Sequence, residues 1–111
     1  MSTSTFHVRP HHRVPVQCTV YFSNPEVNGS GTLWNLSLDG CRVDGTVHPL
    51  VGTQLELLIM LPGRCASIVV QSAQVAWARG QEFGLRLLSV QAVDQSRLQQ
   101  FIAGRVSARV A

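Results

Sequence analysis

From Val16 to Phe22 the chain alternates, with Val16, Cys18, Val20 and Phe22 on one side and Gln17, Thr19 and Tyr21 on the other. A period of two marks a strand with one buried face. Ser23-Asn24-Pro25 and Asn28-Gly29 interrupt it as a loop. A second strand is predicted from about Gly31 to Leu38, with Trp34, Leu36 and Leu38 on one face and Asn35 and Ser37 on the other. Asp39-Gly40 reads as a two-residue hairpin turn of type I′, which needs positive φ at both positions. Cys41 to Val47 returns as a third strand, and His48-Pro49-Leu50-Val51-Gly52 turns again. Leu55 to Leu61, rich in Leu and Ile, is a core strand closed by Pro62-Gly63. Ala66 to Ala78 is a long strand, or two collinear ones, ending at Arg79-Gly80, and Glu82 to Leu88 is the last, with Phe83, Leu85 and Leu87 alternating.

The period then changes. Leu98, Phe101, Ile102 and Val106 recur at i, i+3, i+4 and i+8, the stripe of an amphipathic helix. It is placed at about residues 91–106. Six or seven antiparallel strands followed by one helix predict a mainly β fold, a small closed or nearly closed barrel. The helix would cover an open end or an exposed edge. Ahead of the first strand, residues 1–14 form a polar arm. Pro10 and Pro15 push Arg9 and Val14 out of the helical region. The expected organisation is an arm over 1–14, a barrel with its helix over 15–106, and a tail over 107–111.

Composition changes this picture little. The chain has 111 residues, 45% of them hydrophobic, enough for one domain with a real core. No apolar run approaches the roughly 18–20 residues of a membrane-spanning helix. The first residues lack the basic-then-apolar pattern of a signal peptide, so a cytoplasmic location is expected. Net charge is +3, and every basic residue is Arg. That excess is too small and dispersed to argue for a duplex-DNA surface. Cys18, Cys41 and Cys65 are odd in number and widely spaced, without zinc-ligand spacing. They read as small core residues in a reducing compartment, and no metal or cofactor is expected.

Two polar signatures carry the chemistry. The first is Arg9-Pro10-His11-His12-Arg13, an Arg-x-x-x-Arg on the arm, its two arginines up to roughly 13 Å apart when extended. The second is Asn35-Leu36-Ser37-Leu38-Asp39-Gly40, an [Asp/Asn]-x-Ser-x-x-Gly at a strand end. With nine Arg in the chain the first pattern is expected about once by chance, and Arg105-Val106-Ser107-Ala108-Arg109 is a second copy. The second signature is much rarer, and its position after an arginine pair is rarer still. Guanidinium groups grip guanine O6 and N7 bidentately, stack on the base, and bond phosphate oxygens. Asn35 and Ser37 supply short polar contacts from the opposite side. Gly40 permits close backbone approach, or serves only the turn. The combination suits a compact, anionic, purine-bearing ligand.

Together with Val14-Pro15-Val16, Val75-Ala76-Trp77, Phe83-Gly84-Leu85-Arg86-Leu87 and the closing helix, these signatures resemble the PilZ domain, a bacterial receptor module for cyclic di-GMP. The resemblance covers roughly residues 8–104. It implies a six-stranded antiparallel β-barrel of the split-barrel type with one C-terminal α-helix, and cyclic di-GMP held between arm and barrel. It implies that Arg9 and Arg13 hold guanine and phosphates while Asn35, Ser37 and Gly40 contact the remaining guanine edge. Asn35 stands where the family more often has Asp, an uncharged acceptor in place of a carboxylate. Trp77 has two readings, a platform for guanine or a barrel-end core aromatic. His11 and His12 are read as spacers, and Asp39 as a turn residue. Val8, apolar just before Arg9, leans toward one bound ligand over a stacked pair.

The resulting expectation is a non-enzymatic cyclic di-GMP effector whose arm orders on binding and changes the surface seen by a protein partner in motility, pilus, secretion or exopolysaccharide control. The alternatives are a ligand-independent PilZ-type adaptor and, with only seven aromatic residues, a small barrel binding single-stranded nucleic acid. No nucleophile–base pair or carboxylate pair stands out in the sequence.

Overall fold

The computed structural model describes residues 12–63 and 67–110, with helical side chains as far as Val106. Six strands, β1 (Val14–Ser23), β2 (Asn28–Leu36), β3 (Gly40–Gly45), β4 (Gln54–Met60), β5 (Ile68–Arg79) and β6 (Glu82–Ser89), precede one helix, α1 (Ala92–Val110). All pairings are antiparallel. The order β1-β2-β3-β6-β5-β4 closes on itself as a barrel. Closure leaves no strand edge open for pairing with another chain.

The period-two pattern becomes the barrel interior. Val20, Phe22, Leu57, Ile59, Val70 and Val75 point inward and are buried, while Gln17, Thr19, Tyr21, Glu56 and Met60 point out. Phe22 and Phe83 meet edge to face, ring centroids 5.3 Å apart at 83°, the arrangement the ring quadrupole favours. The helix lies against β1 and β5. Its stripe is as predicted, with Leu98 and Ile102 fully buried and Val106 nearly so. Asp94 sits in the first turn, where its charge suits the helix dipole.

Three expectations are corrected. First, the alternation in β2 breaks: the register slips between Leu33 and Asn35. This bulge buries Leu33 and Leu36 and turns Trp34 out of step, while β2 ends at Leu36 and leaves Ser37 in the loop, off the face that carries Asn35. Second, Asp39-Gly40 is not a type I′ turn, because neither residue has positive φ. A longer loop joins Leu36 to Gly40, and the two-residue hairpin turn lies instead at Gly80-Gln81, where Gly80 has φ +60°. Third, residues 107–110 are helical rather than tail. Ser107-Ala108-Arg109-Val110 holds no proline or glycine to stop the helix.

Candidate functional site

The site is built by a line of directly paired residues running across the outside of the barrel. Asn35 on β2 pairs with Arg42 on β3, Arg42 with Gly84 on β6, and Gly84 with Trp77 on β5. Adjacent strands lie about 4.8 Å apart, so Arg42 and Trp77 are separated by about 10 Å, with a residue between them that has no side chain. The register slip between Val75 and Trp77 puts Trp77 on the outer surface. Its indole then lies over Gly84: a Cβ there would collide with the indole nitrogen and its neighbours. Gly84 is buried although both its neighbours, Phe83 and Leu85, point into the core. Trp77 keeps 40% of its surface exposed. The structure places it outside the core.

Arg13, the last residue before β1, borders the site. Its Nη2 would stand 3.4 Å from a Cβ on Gly40. Arg13, Asn35, Cys41, Arg42 and Trp77 line a cavity of about 190 Å³. Wider clefts of about 440 and 410 Å³ lie elsewhere among the described residues, but neither has an arginine in its lining. The convergence of two guanidinium groups, a carboxamide and an exposed indole singles out the smaller one. Val8, Arg9 and His11 lie outside the described residues, as does Cys65, so only half of the Arg-x-x-x-Arg is placed.

The loop between β2 and β3 owes its shape to Ser37. This residue is fully buried. Its hydroxyl accepts from the Gly40 amide (3.0 Å) and more weakly from the Asp39 amide (3.3 Å). It donates to Asp39 Oδ1 at 2.6 Å, with the Gly40 carbonyl at 3.1 Å as the alternative acceptor. A hydroxyl has one proton and two lone pairs, so Ser37 is satisfied within its own loop. It was expected to share an outward face with Asn35; it is instead the internal staple of the loop that Arg13 overlies. Gly40 is needed here for space rather than for φ. A Cβ would approach the Leu85 carbonyl oxygen to 2.7 Å, a backbone contact that cannot yield cheaply. The Asp39 carbonyl accepts from the Leu87 amide at 2.9 Å, tying the loop to β6.

Burial pushes the Cys41 thiol up to about 12, with the Arg13 charge pulling it partly back and Cys18 adding to the rise. The thiol at the cavity floor is therefore protonated and unreactive at neutral pH. Arg42 was not among the residues expected from the sequence, because an arginine on a strand reads as a solvated position. Only the pairing register reveals that it lies between Asn35 and Trp77.

A sequence model of the PilZ domain matches residues 7–104. The chain belongs to the PilZ family. PilZ domains form a family of cyclic di-GMP receptors. No protein of curated function matches the chain in sequence. Among solved structures, the barrel resembles the Bacillus subtilis inhibitor of motility MotI/DgrA, with a TM-score of 0.76 at 22% identity over 93% of this chain. The match takes in 53% of that protein, so the chain spans about half its length. It also resembles the PilZ domain of YcgR from Escherichia coli, solved with c-di-GMP, with a TM-score of 0.70 at 14% identity over 91% of this chain and 93% of that one. The PilZ domain of CeSA from a cellulose-synthesizing bacterium gives 0.65 at 16% identity, over 84% and 96%. At these identities the likeness is one of fold. Among the described residues, no helix is long and apolar enough to cross a membrane.

Proposed function

We propose that this PilZ domain binds cyclic di-GMP at the outer surface of the barrel and passes the binding event to a protein partner. The observation that carries the reading is the convergence of Arg13, Asn35, Arg42 and the open face of Trp77 on one cavity. One purine base stacks on the indole, which offers a sequence-tolerant π face. Arg13 supplies charge-assisted bonds to phosphate or to guanine O6 and N7. The cavity is smaller than the roughly 300–1,000 Å³ that encloses a whole drug-sized ligand. It therefore takes one base, and the remainder of the dinucleotide lies under the arm that carries Arg9. Ordering of that arm over the ligand changes the surface presented to the partner, at an entropic cost to net affinity. The role is binding and signalling rather than catalysis.

Calorimetric titration with cyclic di-GMP tests this, alongside Arg13→Ala and the Arg9→Ala/Arg13→Ala pair, with GTP and a short single-stranded oligonucleotide as controls. Binding in the micromolar range, roughly −8 kcal/mol, is expected for the wild type and is lost in the pair. A folded wild type that ignores cyclic di-GMP overturns the reading and leaves the ligand-independent adaptor in its place.

A further inference from the structure

We infer that Arg42 is a third arginine of this site, that it reads the edge of the bound base, and that Glu82 competes with the ligand for it. The inference rests on the cyclic di-GMP reading and deepens it. Arg42 Nε is buried and has no hydrogen-bond partner among the described residues. A buried guanidinium N–H without an acceptor is unfavourable, and an arriving acceptor relieves it. The other side of the group is only loosely held. Arg42 Nη1 stands 3.6 Å from Glu82 Oε1, beyond good hydrogen-bond distance. Both side chains are more than one-third exposed, so the pair is a weak, solvent-screened one. Glu82 pairs directly across the strands with Asp44 on one side, a like-charge juxtaposition, and with Arg79 on the other.

The direction of approach is set by the row. The Trp77 indole itself lies over Gly84, where no side chain holds it off, so a base stacked on the indole meets Arg42 at its far edge. Guanine presents O6 and N7 there, two acceptors that match two guanidinium N–H groups. Adenine presents the N6 amino donor in place of O6 and opposes them. Arg42 therefore contributes selectivity for guanine over adenine as well as affinity. Binding draws its guanidinium from Glu82, so the ion pair works against the ligand.

The test is titration of the wild type, Arg42→Ala, Arg42→Lys, Glu82→Gln and the Arg42→Ala/Glu82→Gln double variant with cyclic di-GMP and with cyclic di-AMP. Circular dichroism verifies the fold of each. Arg42→Ala is expected to lose about tenfold or more in affinity for cyclic di-GMP, the scale of a hydrogen bond to a charged group, and to narrow the preference over cyclic di-AMP. Arg42→Lys, which keeps charge without the planar fork, recovers affinity for both dinucleotides but not the preference. Glu82→Gln binds cyclic di-GMP several-fold more tightly, and that gain disappears in the double variant. Unchanged affinity and preference in Arg42→Ala, or a Glu82→Gln gain that persists without Arg42, overturns this inference while leaving the receptor reading intact. A wild type that binds neither dinucleotide overturns both.

Discussion

Ser37 and Asp39 lie two residues apart and share a hydrogen bond, yet the structure gives them unequal weight. Ser37 is fully buried, and its oxygen accepts from the Gly40 amide, itself in a buried environment. Ser37→Ala leaves that amide without an acceptor, which costs about 1–3 kcal/mol, a sizeable share of the roughly 5–15 kcal/mol that holds a domain folded. Asp39 is exposed. Its loss leaves the Ser37 hydroxyl free to donate to the Gly40 carbonyl at 3.1 Å. Asp39→Ala is therefore expected to cost well under about 1 kcal/mol. Chemical denaturation of the two variants checks this, and equal destabilisation would show that the carboxylate, not the hydroxyl, shapes the loop. The same pair shows what was legible at this scale. The rare [Asp/Asn]-x-Ser-x-x-Gly pattern pointed to the right loop, because few orders of these residues produce it. It did not reveal that Ser37 turns inward, since the strand ends at Leu36 and the loop beyond it folds around the hydroxyl. Arg42 was invisible for a related reason: nothing in its neighbours along the chain distinguishes it from a solvated strand residue.

At the scale of the element, strands and helix were readable wherever one face stays buried along the whole length. β4 is the simplest case, Leu55, Leu57 and Ile59 inward and Glu56 and Met60 outward. Register slips in β1, β2 and β5 are what the alternation could not show. A bulge adds one residue to a strand without changing its composition, and it flips the face of every residue beyond it. Two of these slips set the site, one by pairing Asn35 with Arg42, the other by bringing Trp77 onto Gly84. The helix was the more legible element because its stripe holds over successive turns. Leu98 and Ile102 have no exposed surface and belong to the same buried cluster as the barrel interior. Leu98→Ala is thus expected to cost about 2–5 kcal/mol. Because the cluster is shared, tryptophan fluorescence and the far-ultraviolet circular dichroism should report one coincident unfolding transition. A separate early loss of helical signal would show that α1 docks on an independently stable barrel.

For the molecule as a whole, the closed barrel separates two demands. The interior supplies stability, and the outer surface between β2 and β5 is left free for a ligand, so Asn35, Arg42 and Trp77 can be exchanged without opening the core. Cys41 is where the two meet: it packs in the core and lines the cavity. Burial raises its thiol from 9.0 to about 12, and burial also raises that of Cys18, where the charge of Arg105 on α1 pulls it partly back. Above the unfolded value, the unfolded chain gives up the Cys41 proton while the folded chain keeps it, so stability must fall as pH rises. The contribution is complete below about pH 9 and is lost progressively between 9 and about 12. For Cys41 the rise caps the loss at about 4 kcal/mol. The chain has no lysine, and arginine keeps its charge throughout this range, so few other groups compete for the effect. Thermal melts under reducing conditions across the alkaline range should show the wild-type midpoint dropping above about pH 9. Cys41→Ala should begin lower, for the packing it loses, and follow a flatter course. A variant that falls as steeply as the wild type would mean that the alkaline transition belongs to another group and that the Cys41 thiol ionises without opening the barrel.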